Sequence, residues 1–160
     1  MFFKKVLVPY DESEHAKSAL YIALGMVGDD PEASVTVVAV VSVGALPAPL
    51  FDGNAFEALG TDAGADTNDD RDDIMGALLH RVRADMQQVI EGARDNACCQ
   101  VVSTAIIASS PVEGIAEYVE NHDIDLVVMG RRGLGALRGM LGSVSYGVLR
   151  SVDVPVLTVK

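Results

Sequence analysis

Residues 125–150 read DLVVMGRRGLGALRGMLGSVSYGVLR, and their order decides the fold. The short apolar run Asp125–Met129 has no polar alternation, the mark of a strand buried on both faces. Glycines follow at 130, 133, 135, 139 and 142, and Ser143 then opens a helix to Ser151. Between Met129 and Arg150 there are four arginines, at 131, 132, 138 and 150, and no acid, in a chain of formal net charge -11. Glycines between a strand and a helix let backbone N–H groups approach an anion, and the helix start adds donors and a positive dipole end. The stretch reads as a phosphate cradle.

The same strand-turn-helix grammar extends in both directions. Lys5–Pro9 is a first strand, and Ser13 caps a helix to about Val27, closed by Gly28. Ala16, Ala19, Leu20, Ala23, Leu24 and Val27 form one continuous stripe on that helix. Val35–Val43 is a Val-rich second strand. Arg71–Ala97 is the longest helix, with Ile74, Leu78, Val82, Met86 and Ile90 recurring every fourth residue. Val101–Ile107 is a third strand. Ser110-Pro-Val-Glu113 starts the next helix as N-cap, N1 proline and capping-box Glu. After the glycine stretch, Val154–Val159 supplies a fifth strand. Residues 44–70 carry six acids and no base, an expected mobile loop with a short helical turn around Asn54–Leu59.

At 160 residues and 49% hydrophobic the chain is expected to be one folded domain, residues 1–160. Few aromatics and many Val, Ala, Leu and Ile suit parallel strands covered by helices. A pI near 4.5 argues against nucleic acid and anionic membranes. No apolar run reaches the roughly 20 residues of a membrane span, and MFFKKVLVPYD lacks a signal-peptide core, so a cytoplasmic location is expected. Cys98 and Cys99 are the only cysteines, read as ordinary thiols.

Alternating elements imply a single five-stranded parallel sheet with helices on both faces. Such sheets bind ligands beyond the strands' carboxyl ends, where strand order reverses. With order 3-2-1-4-5 the reversal brings together Tyr10–Ser13 and Gly130–Gly142. One loop offers Asp11, which otherwise serves as a second cap or turn residue. The other offers glycines and arginines. Together they suit a nucleotide's ribose and phosphates.

Gly130-x2-Gly133 followed by Gly142-Ser143 resembles the G-x2-G-x9-G-(S/T) nucleotide motif of the universal stress protein family. So do VLVPYDESEH at residues 6–15, SSPVEGI at residues 109–115 and VPVLTV at residues 154–159. The resemblance implies the adenine nucleotide alpha hydrolase-like fold and a site for ATP or another adenine nucleotide. Carried over, Asp11 holds the ribose with Pro9 and Tyr10 beside the base, and Val40 reads adenine through its backbone. Met129, Gly130, Arg131 and Gly133 line the ribose and phosphates. Gly142, Ser143, Val144 and Ser145 meet the phosphates, and Mg or Mn would be bridged by the phosphates without direct protein ligands. Dimerisation through Val154–Val159 is implied as well. One departure stands out: eight residues, LGALRGML, separate Gly133 from Gly142 where the motif has nine. It keeps open a nucleotide-independent dimeric interaction module of the same family.

Other chemistries are poorly supported. There is no G-x4-GK-[ST], and Arg138 stands where a dinucleotide fingerprint needs its third glycine. No G-x-S-x-G makes Ser143 or Ser145 a nucleophile. His15, His80 and His122 read as solvated or capping residues, and the acids at 69, 70, 72 and 73 as a helix's first turn. An enzyme acting on a phosphorylated metabolite in the same crevice is the third reading. No catalytic residue is assigned, and a nucleotide-binding regulator is preferred to an enzyme.

Overall fold

The computed structural model describes residues 2–42, 69–93, 97–133 and 141–160. Residues 44–68 of the expected loop with its helical turn, and Gly135, Arg138 and Gly139, lie outside the described residues. In chain order the elements are β1 (Lys5–Pro9), α1 (Glu14–Val27), β2 (Ser34–Ser42), α2 (Asp69–Ala93), β3 (Gln100–Ala108), α3 (Pro111–Asn121), β4 (Leu126–Gly130), α4 (Ser143–Ser151) and β5 (Val156–Val159). The five strands form one sheet, all pairs parallel, in the order β3-β2-β1-β4-β5. Both the architecture and the strand order match the expectation from sequence.

The apolar strands are explained by coverage on both faces. Val6, Val8, Val35, Val37, Leu126 and Val128 pack under α1 and α2 with Leu20, Val27, Met86 and Ile90. Leu7, Val38, Val127 and Met129 point the other way, onto Ile115 and Val119 of α3 and Val148 of α4. Leu7 and Val127 are fully buried, as are Val6 and Val128. At about 1.5–3 kcal/mol for each large side chain removed from water, these opposed layers are the main stabilising term.

Several local readings need revision. Gly28 ends α1 in a right-handed conformation, φ -61°, without the left-handed cap that glycine usually supplies. Its carbonyl accepts from both Cys98 N (2.6 Å) and Cys99 N (3.0 Å), tying the end of α1 to the start of β3. Ser110 caps α3 as expected, accepting from Glu113 N at 3.3 Å. The Glu113 carboxylate, however, accepts from the Ser109 hydroxyl, so the reciprocal half of the capping box is replaced. The longest helix starts two residues before the expected Arg71, taking Asp69 and Asp70 into its first turn.

Two features position the site. At the amino ends of β1 and β4, the Asp125 carboxylate accepts from Lys4 N (2.7 Å) and Lys5 N (3.1 Å), while Asp125 N donates to Lys5 O (3.0 Å). At the carboxyl ends the same strands separate: their register pairs Val6 with Leu126 and Leu7 with Val127 and stops there. Tyr10 N donates to Val38 O of β2 at 2.8 Å. By strand alternation the preceding residue turns its nitrogen toward β4, and that residue is Pro9, which has no N–H to give. A gap opens where strand order reverses.

Candidate functional site

The gap is a cavity of about 620 Å³, within the roughly 300–1,000 Å³ of small-molecule sites. One wall is apolar, formed by Pro9, Val38 and Val40 from the strands and Ile115 from α3. Opposite lie Met129, Gly130 and Gly133 and the start of α4, Gly142–Ser145. Tyr10 and Asp11 close the β1 side. Of the residues named from sequence, only Arg131 is missing from the lining.

The start of α4 is the main source of donors. Gly142 is its N-cap and supplies no side-chain bond, and the first intrahelical bond runs from Tyr146 N to Gly142 O at 2.9 Å. The backbone N–H groups of Ser143, Val144 and Ser145, residues that line the cavity, precede that bond. The Ser145 hydroxyl is committed elsewhere. It is 2% exposed and donates to Gly130 O at 2.9 Å, pinning the helix start to the end of β4. Its contribution to a ligand is therefore its backbone N–H.

The short spacing between Gly133 and Gly142 leaves this arrangement in place. Gly142 N donates to Arg131 O at 2.8 Å, closing the excursion at its base. A Cβ on Gly142 would come within 3.0 Å of Arg132 Cα, so the two backbones need glycine to lie side by side. None of the described glycines adopts positive φ. Gly130 and Gly142 are used for close approach, and their conformational freedom is not called on.

Gly130 shows this most clearly. A Cβ there would lie 2.8 Å from His15 Cβ and 2.9 Å from the His15 carbonyl carbon. Gly130 lines the cavity, as the sequence reading expected, and its missing side chain also admits the first turn of α1. Gly133 faces Asp11, whose Oδ2 a Cβ at that position would strike. The other Asp11 oxygen accepts from Ser13 N at 3.2 Å, so Asp11 closes its own turn and remains exposed at the mouth.

The two adjacent arginines divide. Arg131 continues the ladder, its N–H donating to Val159 O at 2.7 Å, and it stays outside the cavity lining. Arg132 lines the cavity, and its Nε donates to His15 Nε2 at 3.3 Å. From sequence Arg132 was read only as one of the cradle's four arginines, and His15 was not taken as a site residue. They stand 117 positions apart, and no local pattern announces the pair. The Tyr10 phenol is buried, and that burial raises its pKa, keeping it neutral beside the cavity.

The class follows from these features: a doubly wound α/β domain with a cavity at its topological switch point, faced by an uncapped helix start. The chain belongs to the universal stress protein family, whose sequence model matches residues 2–160. A universal stress protein from Thermus aquaticus, encoded in the QAH/OAS sulfhydrylase 3′ region, is 31% identical over 163 residues, covering 99% of each chain. The fold is also that of UspA from Lactobacillus plantarum (TM-score 0.74, 20% identity, 100% and 99% of the chains covered). It is shared by a universal stress protein in complex with cAMP (TM-score 0.63, 19%, 100% and 98%). One from Archaeoglobus fulgidus in complex with dAMP has it too (TM-score 0.57, 18%, 100% of both).

The close approach at Gly130 is testable against a helical glycine with open surroundings. Gly130→Ala is expected to cost about 1–3 kcal/mol in urea denaturation through overpacking on His15. Gly25→Ala, with nothing within 4 Å of the added carbon, should gain about 0.5–1 kcal/mol.

Proposed function

We propose that this chain is an adenine-nucleotide-binding regulatory protein of the stress response, acting in the cytoplasm, with ATP or AMP in the switch-point cavity. The observation that carries this reading is the uncapped start of α4 facing a cavity whose opposite wall is apolar. A nucleotide has the same two-part chemistry. The base would lie against Pro9, Val38 and Val40 near Tyr10, and the phosphates would accept from the N–H groups at residues 143–145 with the helix dipole in their favour. Asp11 stands at the mouth, exposed and available to ribose hydroxyls. The related structures described with cAMP and dAMP support an adenine nucleotide as the ligand class.

A divalent cation, Mg or Mn, would be held by the phosphates. Asp11 is the one carboxylate among the described lining residues, and no group of three or more His, Cys, Asp or Glu side chains among the described residues could hold a metal. The described lining contains no histidine and its one carboxylate, Asp11, accepts from Ser13 N, so the reading includes at most slow hydrolysis.

The assembly we propose is a homodimer through the last strand. β5 is at the sheet edge, where Leu157 is 38% exposed, and α4 before it exposes Tyr146 and Leu149. An uncovered apolar edge invites pairing with a second copy.

Three expected outcomes test these readings. Calorimetric titration with ATP, ADP, AMP and cyclic AMP should give saturable binding of at least one; no binding of any up to about 1 mM overturns the nucleotide reading. Ser143→Pro removes one donor at a position where proline suits a helix start, after an extended Gly142 (ψ 154°), and should weaken binding about tenfold. Light scattering at micromolar concentration should give twice the 16.8 kDa chain mass, falling to the monomer in Leu157→Asp; a monomeric wild type contradicts the dimer.

A further inference from the structure

β3 is the outer strand at the end of the sheet away from β5, and among the described residues it has a partner strand on one flank only. Gln100 N donates to Ala33 O at 3.0 Å. By strand alternation Gln100, Val102, Thr104 and Ile106 therefore turn their backbone groups to β2, and Val101, Ser103, Ala105 and Ile107 turn theirs to the open flank. The strand between these flanks, QVVSTAIIA, has nine residues with no charge, proline or glycine among them. Val102 is 40% exposed on one face of the sheet and Ile107 43% exposed on the other. A long, uncharged, apolar edge of this kind is a template for another strand.

One of the outward carbonyls is already taken. Arg83 of α2 reaches over the edge, its Nη2 donating to Ala105 O at 3.5 Å. One turn further along the helix, Gln87 Oε1 accepts from Ser103 Oγ at 3.4 Å, which holds α2 alongside the strand. The cation comes from α2, because β3 itself supplies none.

We infer that Arg83 guards the β3 edge, denying it to a second copy of this chain. An incoming strand would use Ala105 O as the acceptor for one of its own N–H groups. The guanidinium stands where that strand would lie, and burying it there without a counter-ion costs far more than one backbone bond returns. The guard acts whether or not a nucleotide binds and whether or not β5 pairs. With β5 paired across a twofold axis, a second open edge would turn a closed dimer into a chain of dimers without an end. With β5 unpaired, it would turn a monomer into a dimer.

Light scattering over a concentration series tests this with Arg83→Ala. The variant should reach about twice the wild-type mass or more at equal concentration. The substitution moves the net charge of -11 further from zero, which opposes association in general, so added mass reports the edge. Arg81→Ala, at an exposed position on the same helix, makes the same charge change and should keep the wild-type mass. Adding Ile107→Pro to Arg83→Ala removes an outward N–H at an edge position that tolerates proline, and should restore the wild-type mass. Wild-type mass in Arg83→Ala, equal growth in Arg81→Ala, or growth that Ile107→Pro leaves in place overturns the inference. Amide exchange of the wild type is the independent arm and needs no variant. Ser103, Ala105 and Ile107 should exchange at least about tenfold faster than Val102, Thr104 and Ile106. Equal protection of the two sets means that the edge is already covered by a strand, and overturns the guard.

Discussion

The site depends on one constraint: at the end of β4 there is no side chain. Gly130 lets the first turn of α1 approach until His15 would touch a Cβ at 2.8 Å. That approach sets Asp11 opposite Gly133 and His15 opposite Arg132. Ser145 reaches back to the Gly130 carbonyl, fixing the start of α4 over the same point. α1, β4 and α4 meet on one residue. The gap beside them exists because Pro9 cannot continue the ladder to β4.

This explains how a chain of net charge -11 can offer the anion site proposed for it. The donors are backbone groups at a helix start, oriented by fold and insensitive to overall charge. Arg132 adds a cation to the lining, its Nε hydrogen-bonded to His15 Nε2. The apolar wall supplies shape and the helix start supplies charge complementarity. Neither requires a basic surface of the kind nucleic-acid proteins carry.

Much of the fold was legible in the sequence because its causes are local. Strands buried on both faces must be apolar throughout, and Val6–Val8, Val35–Val41 and Leu126–Met129 are close to that. Ser13 and Ser110 announce helix starts by their position before apolar periodic runs, and both accept the expected backbone bond. The two loops at the cavity followed from strand order and the ligand rule for such sheets. Val40 on the apolar wall came from the family resemblance, whereas Val38 and Ile115 were not foreseen. Nor was the meeting of Arg132 and His15, because it is tertiary and separated by 117 positions. Which of two adjacent arginines faces the cavity depends on Arg131 donating to Val159, a pairing that only the assembled sheet reveals. The glycines were visible as places of close approach, but that Gly130 admits the first turn of α1 could not be read from the sequence. The eight-residue spacing looked like a threat to the cradle, and the Gly142 to Arg131 hydrogen bond explains why the helix start still reaches the cavity.

The central claim is that the N–H groups opening α4 hold a nucleotide's phosphates. Backbone amide NMR during titration with ADP tests it most directly. The largest perturbations should fall on Ser143, Val144 and Ser145, with smaller ones at Tyr10, Asp11 and Val40. Saturable binding that leaves residues 143–145 unmoved while shifting amides elsewhere would contradict the account.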